Sequence, residues 1–325
     1  MTRVYLTIDT ELSASHFRHH GVAGVEENFD QAIIGRTENG DVGIVHQMRQ
    51  LAAHGLKAVF FIDPMPALIL GNDIVKRMVH PVLELGFDVQ LHAHTEWLAL
   101  ADPALSPVGG KTGRNMCSFD EADQRRILEF ATEQLCRAGA DMPVAFRAGN
   151  YGADDATLRA LASLGFGYDT SFSPGIRFSN CAISLDDQCL QPVEHEGVVE
   201  VPIGAISAWG AGQRHAQITA ISAWEMSAAI AHANTRGHQS FSLVSHSFEL
   251  LCRSRRRINT IVASRFDTLC AYLGDHPDTV TATYRDDPPL ILPNRCDGVA
   301  TPLPHNPVRT AMRMGEQLIA NRLFG

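Results

Sequence analysis

Short runs of apolar and β-branched residues recur along this chain. Between them, apolar positions return every three or four residues. The runs predict strands near 3–8, 57–62, 88–91, 144–146, 167–169, 198–202, 240–245 and 279–284. The longer period predicts helices near 41–54, 65–85, 119–138, 154–164, 219–235 and 259–273. Ser118 followed by Glu121 reads as a capping box for the third helix, and Asp154 and Asp155 suit the first turn of the fourth. Strands that alternate with helices argue for a parallel sheet, and seven or eight such units favour a closed barrel over an open sheet.

Two stretches break the alternation. Residues 11–40 are polar and glycine-containing, and read as a loop over one face. Residues 286–307 carry six prolines and end in Asn306-Pro307, a good helix start. The terminal stretch 308–325 then places Val308, Ala311, Met312, Leu318, Ile319 and Leu323 on one helical face. The expected organisation is a single barrel over 1–285, followed by a proline-rich linker and amphipathic helix over 286–325. Docking on the barrel is the expected use of that helix, ahead of a homo-oligomer contact or a peripheral membrane contact.

Composition narrows the function classes. The chain has 325 residues, 45% hydrophobic and 19% charged, enough to bury a sizeable core. Its formal net charge of −9 argues against a nucleic-acid partner. The start reads as a strand rather than a charged segment followed by an apolar one, and no window reaches about 18 apolar residues, so neither a signal peptide nor a transmembrane span is expected. The seven cysteines, Cys296 among them, are scattered without C-x-x-C spacing. Reduced thiols and a cytoplasmic location are the expectation.

The reactive residues gather at strand ends. Asp9 and Glu11 follow the first strand, and His92, His94 and Glu96 follow the third. Arg147 follows the fourth, Asp169 ends the fifth, and His246 follows the seventh. In a parallel barrel the carboxyl ends share one face, where active sites form. Residues two apart at a strand end point the same way, so the imidazoles of His92 and His94 can converge on one cation. A carboxylate added to them gives a mixed nitrogen and oxygen set, suited to zinc or a similar divalent metal. Arg253, Arg255, Arg256 and Arg257 follow His246 closely and could hold a phosphate-linked substrate.

Four motifs carry a resemblance to a known family: L-T-I-D-T-E (6–11), G-F-D-V-Q-L-H-A-H-T-E-W (86–97), F-R-A-G-N-Y-G (146–152) and L-V-S-H (243–246). In this order they resemble the polysaccharide deacetylases (NodB-homology, carbohydrate esterase family 4) over roughly residues 3 to 285. Among its branches, the chain resembles the one associated with lipopolysaccharide biosynthesis, the WalW-like group. The resemblance implies a distorted (β/α)7 barrel and metal-dependent removal of N-acetyl groups from amino sugars. By position it implies Asp9 as general base, Arg147 as the holder of that base, and His246 as general acid. His92, six residues after Gly86, matches the first metal histidine. The chain departs from the pattern at Thr10, where a metal aspartate usually stands, at Glu96, where the second histidine stands, and at Gly149-Asn150, where a proline is missing. The metal set is therefore Glu11 or Asp9 with His92 and His94, and Glu96 is a substitute. Glu96, Trp97, Tyr151 and Asp169 are expected to contact the substrate, with Trp97 sheltering the site or stacking on a sugar. The expected substrate is an amino sugar of an envelope polysaccharide or lipopolysaccharide precursor. The alternatives are hydrolysis of another C–N bond on the same fold, and an inactive glycan-binding relative.

Overall fold

The computed structural model describes residues 1–176, 179–210, 212–276, 278–291 and 300–324. In chain order, β1 (Arg3–Thr10) leads to α1 (Ala14–His20), α2 (Val25–Phe29) and a hairpin of β2 (Arg36–Thr37) and β3 (Gly40–Asp41). Then come α3 (Ile44–Ala53), β4 (Val59–Ile62), α4 (Ala67–Leu70), α5 (Asp73–Glu84), β5 (Asp88–Ala93), α6 (Glu121–Arg137), β6 (Ala145–Ala148), α7 (Asp155–Ser163) and β7 (Tyr168–Asp169). Two hairpins follow, β8 (Val193–His195) with β9 (Val198–Glu200) and β10 (Ala205–Ser207) with β11 (Gln213–His215). The chain ends with α8 (Ala223–Arg236), β12 (Ser240–His246), α9 (Thr260–Asp275), β13 (Val280–Thr281) and α10 (Pro307–Phe324).

Nine strands form one sheet in the order β12–β1–β4–β5–β6–β7–β9–β8, with β13 attached to β1. Its pairs are parallel except the β8–β9 hairpin. The sheet curls into a distorted, half-closed barrel, the α/β architecture that the alternation predicts. Single bridges hold its seam. Ile203, beyond β9, bridges Ser242 of β12, and Gln217 bridges Val244.

Strand parity separates two cores. Val4, Leu6 and Ile8 of β1 face the helices and pack in one cluster with Met48, Val79 and Leu128. Tyr5, Val59, Phe61, Ala145, Val201 and Tyr284 pack inside the curl. Burying each large apolar side chain stabilises the fold by roughly 1.5–3 kcal/mol. Parity then aims the site. Asp9 shares its face with Tyr5, Asp63 with Phe61, and Arg147 with Ala145.

Several elements differ from the sequence expectations. The helix expected over 65–85 is two helices, because Gly71 adopts φ +74° between them. The cap of α6 is Asp120, whose side chain accepts from the Asp123 N–H at 2.9 Å, and Ser118 lies in the preceding turn. Asp154 is the cap of α7 and forms a reciprocal box with Thr157. Of the strand expected over 279–284, Val280–Thr281 forms a ladder. Residues 11–40 are largely helical, since Phe17, Phe29, Ala32 and Ile33 bury into the outer core amid polar neighbours. Residues 292–299 of the proline-rich segment, Cys296 among them, lie outside the described residues.

The terminal helix docks, but by its polar side. Arg265 of α9 pairs with Glu316 at 2.6 Å, Arg313 pairs with Glu225 of α8 at 3.2 Å, and Ala320 is buried. The expected apolar face points outward: Val308, Met312, Leu318, Ile319 and Leu323 are all exposed. Among the described residues, no helix is long and apolar enough to cross a membrane.

Arg265 is nearly buried, and its guanidinium also donates to the Ile218 and Thr219 carbonyls. Arg265→Ala leaves the Glu316 carboxylate and two carbonyls without their donor. The expected loss is about 3 kcal/mol of stability. Denaturant titration checks the magnitude, and faster proteolysis within 307–324 checks that α10 is released.

Candidate active site

Asp9 ends the inner face of β1, and Arg147 stands on the inner face of β6. Both are buried, and the Arg147 Nη1 donates to Asp9 Oδ1 at 2.5 Å. The guanidinium lies over the Phe61 ring at 4.5 Å, and its Nε donates to the Thr170 carbonyl at 3.2 Å. Burial would lower the Arg147 pKa, but the Asp9 carboxylate overrides it and raises it.

His92 lies opposite Arg147 in the β5–β6 register. Its Nδ1 faces the Arg147 carbonyl at 2.8 Å. A carbonyl only accepts, so Nδ1 carries a hydrogen and Nε2 is turned toward the cleft. His92 Nε2 lies 3.0 Å from Glu11 Oε2, and His94 Nε2 lies 2.5 Å from the same oxygen. Burial would raise the Glu11 pKa, but His94 and His92 hold it well below the ordinary carboxylate range. The same contact works in reverse on His94. Burial opposes its charge, but Glu11, Glu96 and Asp63 raise it well above the ordinary imidazole value. Glu96 Oε2 meets His94 Nδ1 at 3.0 Å, and Asn150 donates to Glu96 Oε1 at 2.8 Å.

These residues fit a divalent cation. One oxygen of Glu11 and one nitrogen each of His92 and His94 lie within 4.8 Å of one another. Each imidazole is oriented through its other nitrogen, as metal-binding histidines are. Asp63 adds a carboxylate oxygen, Oδ2, that is buried with no hydrogen-bond partner among the described residues. A second group, Asp155, His195 and Glu196, has its carboxylates engaged by Ser184 and Arg159.

The turn after β6 is shaped for this cluster. A Cβ on Gly149 would fall 2.8 Å from the His94 ring, so only glycine lets the ring pack there. Asn150 and Tyr151 both adopt φ +56°, strained for side-chain-bearing residues, and turn the chain sharply. The Tyr151 hydroxyl is buried without a hydrogen-bond partner among the described residues, and burial pushes its pKa up.

His246 ends β12 directly opposite Asp9 in the register. Its Nδ1 lies 2.5 Å from Glu249 Oε2, and Glu249 is held by Gln217 at 2.9 Å and by Thr219. Burial would lower the His246 pKa, but the Glu249 carboxylate raises it to about 9.

A cleft of about 620 Å³ opens above the cluster, lined by Glu11, His94, Glu96, Arg18, Arg114 and Arg255 among others. A smaller cavity of about 360 Å³ beside it is lined by His246 and Glu249 and shares Phe248 and Arg255. Trp97 is wholly buried against Phe17, with ring centres 5.5 Å apart, so its indole is core and not cleft wall. Asp169 is also wholly buried. It accepts from Ser171 and pairs with Glu200, so it does not line the cleft either. The arginine run divides. Arg255 lines the cleft, Arg253 lines the smaller cavity, and Arg257 donates to the Leu323 carbonyl of α10.

Sequence reasoning passed over Asp63, Glu249, Asn150 and the cleft arginines Arg18 and Arg114. Asp63 had a legible signal, since it directly follows a predicted apolar strand. Burial pushes its carboxyl up to about 6. Glu249 stands three residues after His246, close enough to reach back to it.

No family model matches the chain, and no curated protein matches it. Solved structures do. A Mycobacterium smegmatis protein assigned as a polysaccharide deacetylase aligns with a TM-score of 0.53 and 16% identity, over 86% of this chain and 87% of that one. A family 4 carbohydrate esterase from Streptomyces lividans aligns with a TM-score of 0.41 and 11% identity, over 90% of this chain and 98% of its own. The peptidoglycan deacetylase PdaC from Bacillus subtilis aligns with a TM-score of 0.36 and 9% identity, over 100% and 98%. The first of these alignments, over most of both chains, assigns this chain the polysaccharide deacetylase fold.

Proposed function

We propose that this protein is a metal-dependent hydrolase that removes the acetyl group from an amino sugar. The single observation that carries the reading is the convergence of Glu11, His92 and His94 beside the buried Asp9–Arg147 pair, at the carboxyl ends of a deacetylase-type barrel. The resemblance of the motifs to the lipopolysaccharide-associated branch supports an envelope-glycan precursor as the substrate.

Glu11, His92 and His94 would hold the cation, and one carboxylate with two imidazoles suits zinc. When bound, a divalent cation polarises an amide carbonyl and acidifies water. Asp9 takes the proton of the attacking water as its oxygen bonds to the carbonyl carbon. Arg147 fixes the Asp9 carboxylate through the 2.5 Å contact between them. A backbone N–H near Tyr151, on the strained turn, would stabilise the developing oxyanion. As the C–N bond breaks, His246 gives its proton to the nitrogen, which leaves as an amine with acetate as the other product. Glu249 holds His246 in its protonated form near neutral pH.

His92→Ala removes one of three ligands and is expected to lose the metal while the fold persists. Elemental analysis of purified parent and variant, with circular dichroism as the fold control, tests this. Equal metal stoichiometry in the two would refute the ligand set.

A general acid works only while protonated, so activity should persist below about 9 and fall as pH rises through the His246 pKa. Glu249→Gln removes the anion that holds this value up, and should move the alkaline limb of the rate profile to lower pH. His246→Ala should lower turnover by ~10² or more with metal retained. An alkaline limb that stays in place in Glu249→Gln would remove His246 from the acid role.

A further inference from the structure

We propose that Arg255, Arg114 and Arg18 form an anion subsite on the wall of the cleft, so that the amino-sugar substrate carries a phosphate or carboxylate group close to its acetamide. The inference rests on the deacetylase reading for the acetamide end, and on the cleft itself for the anionic end.

Three separate segments bring these arginines together. Arg18 comes from α1, Arg114 from the loop before α6, and Arg255 from the turn after β12. Arg255 is the anchor. It is half-buried, and among the described residues it makes no ion pair. Its guanidinium carbon lies over the Phe248 ring, 3.8 Å from the ring centre, and Phe248 lies 5.3 Å from the His246 ring. Stacking fixes the plane of the fork and leaves its edge N–H groups for a ligand. The backbone pays for this placement, because Arg255 is left-handed at φ +55° and bonds from its N–H to the Cys252 carbonyl at 2.8 Å. A guanidinium partly withdrawn from water, with the Glu11 carboxylate acting on it only at a distance, gains when an anion pairs with it directly.

Arg18 is exposed and makes no ion pair among the described residues. Arg114 is exposed, with Glu96 Oε1 as its near carboxylate at 3.9 Å, beyond hydrogen-bond distance. The carboxylates of the same wall are occupied elsewhere. Glu11 is held between two imidazoles, and Glu96 by His94 and Asn150. Three guanidinium groups thus line one cleft, and among the described residues none of them donates a hydrogen bond to a carboxylate, in a chain of net charge −9. Arginine forks match the paired oxygens of phosphate and carboxylate alike. Such a group reaching the subsite would set the sugar's orientation and draw it toward Glu11, His92 and His94.

The test is calorimetric binding to the full-length protein as purified, with N-acetylglucosamine, N-acetylglucosamine 1-phosphate and the corresponding N-acetyl uronic acid as probes. An anionic sugar is expected to bind about tenfold more tightly than the neutral one, an advantage that shrinks with added salt. In Arg255→Gln and Arg114→Gln that advantage should fall to about threefold or less, while Arg256→Gln, whose side chain lies outside the cleft, keeps it. The anionic sugar that gains more identifies the group as phosphate or carboxylate. If Arg255→Gln does not fold, Arg114→Gln carries the test alone, since its side chain is exposed. Equal affinity for neutral and anionic sugars, or an advantage undiminished in the variants, overturns the subsite. The readout is independent of turnover. Selective anion binding without acetate release would therefore sink the hydrolase reading and leave the subsite standing.

Discussion

The buried pair of Arg147 and Asp9 is the contact on which the site depends. It joins the inner faces of β6 and β1 across the barrel, and the backbone carbonyl of the same arginine orients His92. A buried ion pair adds little net stability, because desolvation offsets most of the attraction. Breaking it is another matter, since the remaining charge has no water to turn to. The surroundings are arranged to match. Asp169 and Glu200 lie nearby on β7 and β9; burial raises both carboxyl pKa values, and Asp169 raises that of Glu200 further. With a proton held between them, the guanidinium faces Asp9 as its main counter-charge.

The three site histidines differ by what stands behind them. His92 is backed by a neutral carbonyl, His94 by Glu96, and His246 by Glu249. A carboxylate behind an imidazole favours its charged form, as for His94 and His246, whereas a carbonyl sets the tautomer. In the proposed mechanism His92 and His94 would hold the cation, and His246 would carry the proton.

The segment after β1 shows how peripheral structure becomes part of the site. Its helices bury Phe17 against Trp97, and this packing fixes α1 over the carboxyl end of the sheet. Ser13, Ser15 and Arg18 then line the cleft beside Glu11. Without the apolar anchors the segment would be a long polar loop, and the wall it builds would not be held in place.

Much of this molecule is legible in the amino-acid order. Strand-forming runs, helix periods and the polar residues at strand ends are local properties, and side-chain parity follows from a period of two. From these follow the parallel barrel, the shared face of Asp9, His92, Arg147 and His246, and the His92–His94 pairing. Other features depend on distances between strand ends, which register, curl and turn geometry set and no local pattern encodes. That is why Asp63 faces the cluster although its own neighbours are apolar, and why Glu249 rather than a more distant acid meets His246. It is also why Trp97 is core despite its motif position and Asp169 despite its strand-end position, and why α10 turns its apolar side outward. On that helix the ion pairs offered by Arg265 and Glu225 decide the docked face, because charged groups of α8 and α9 stand where the helix lands. Periodicity reports which side chains share a face; only the packed structure determines what that face meets.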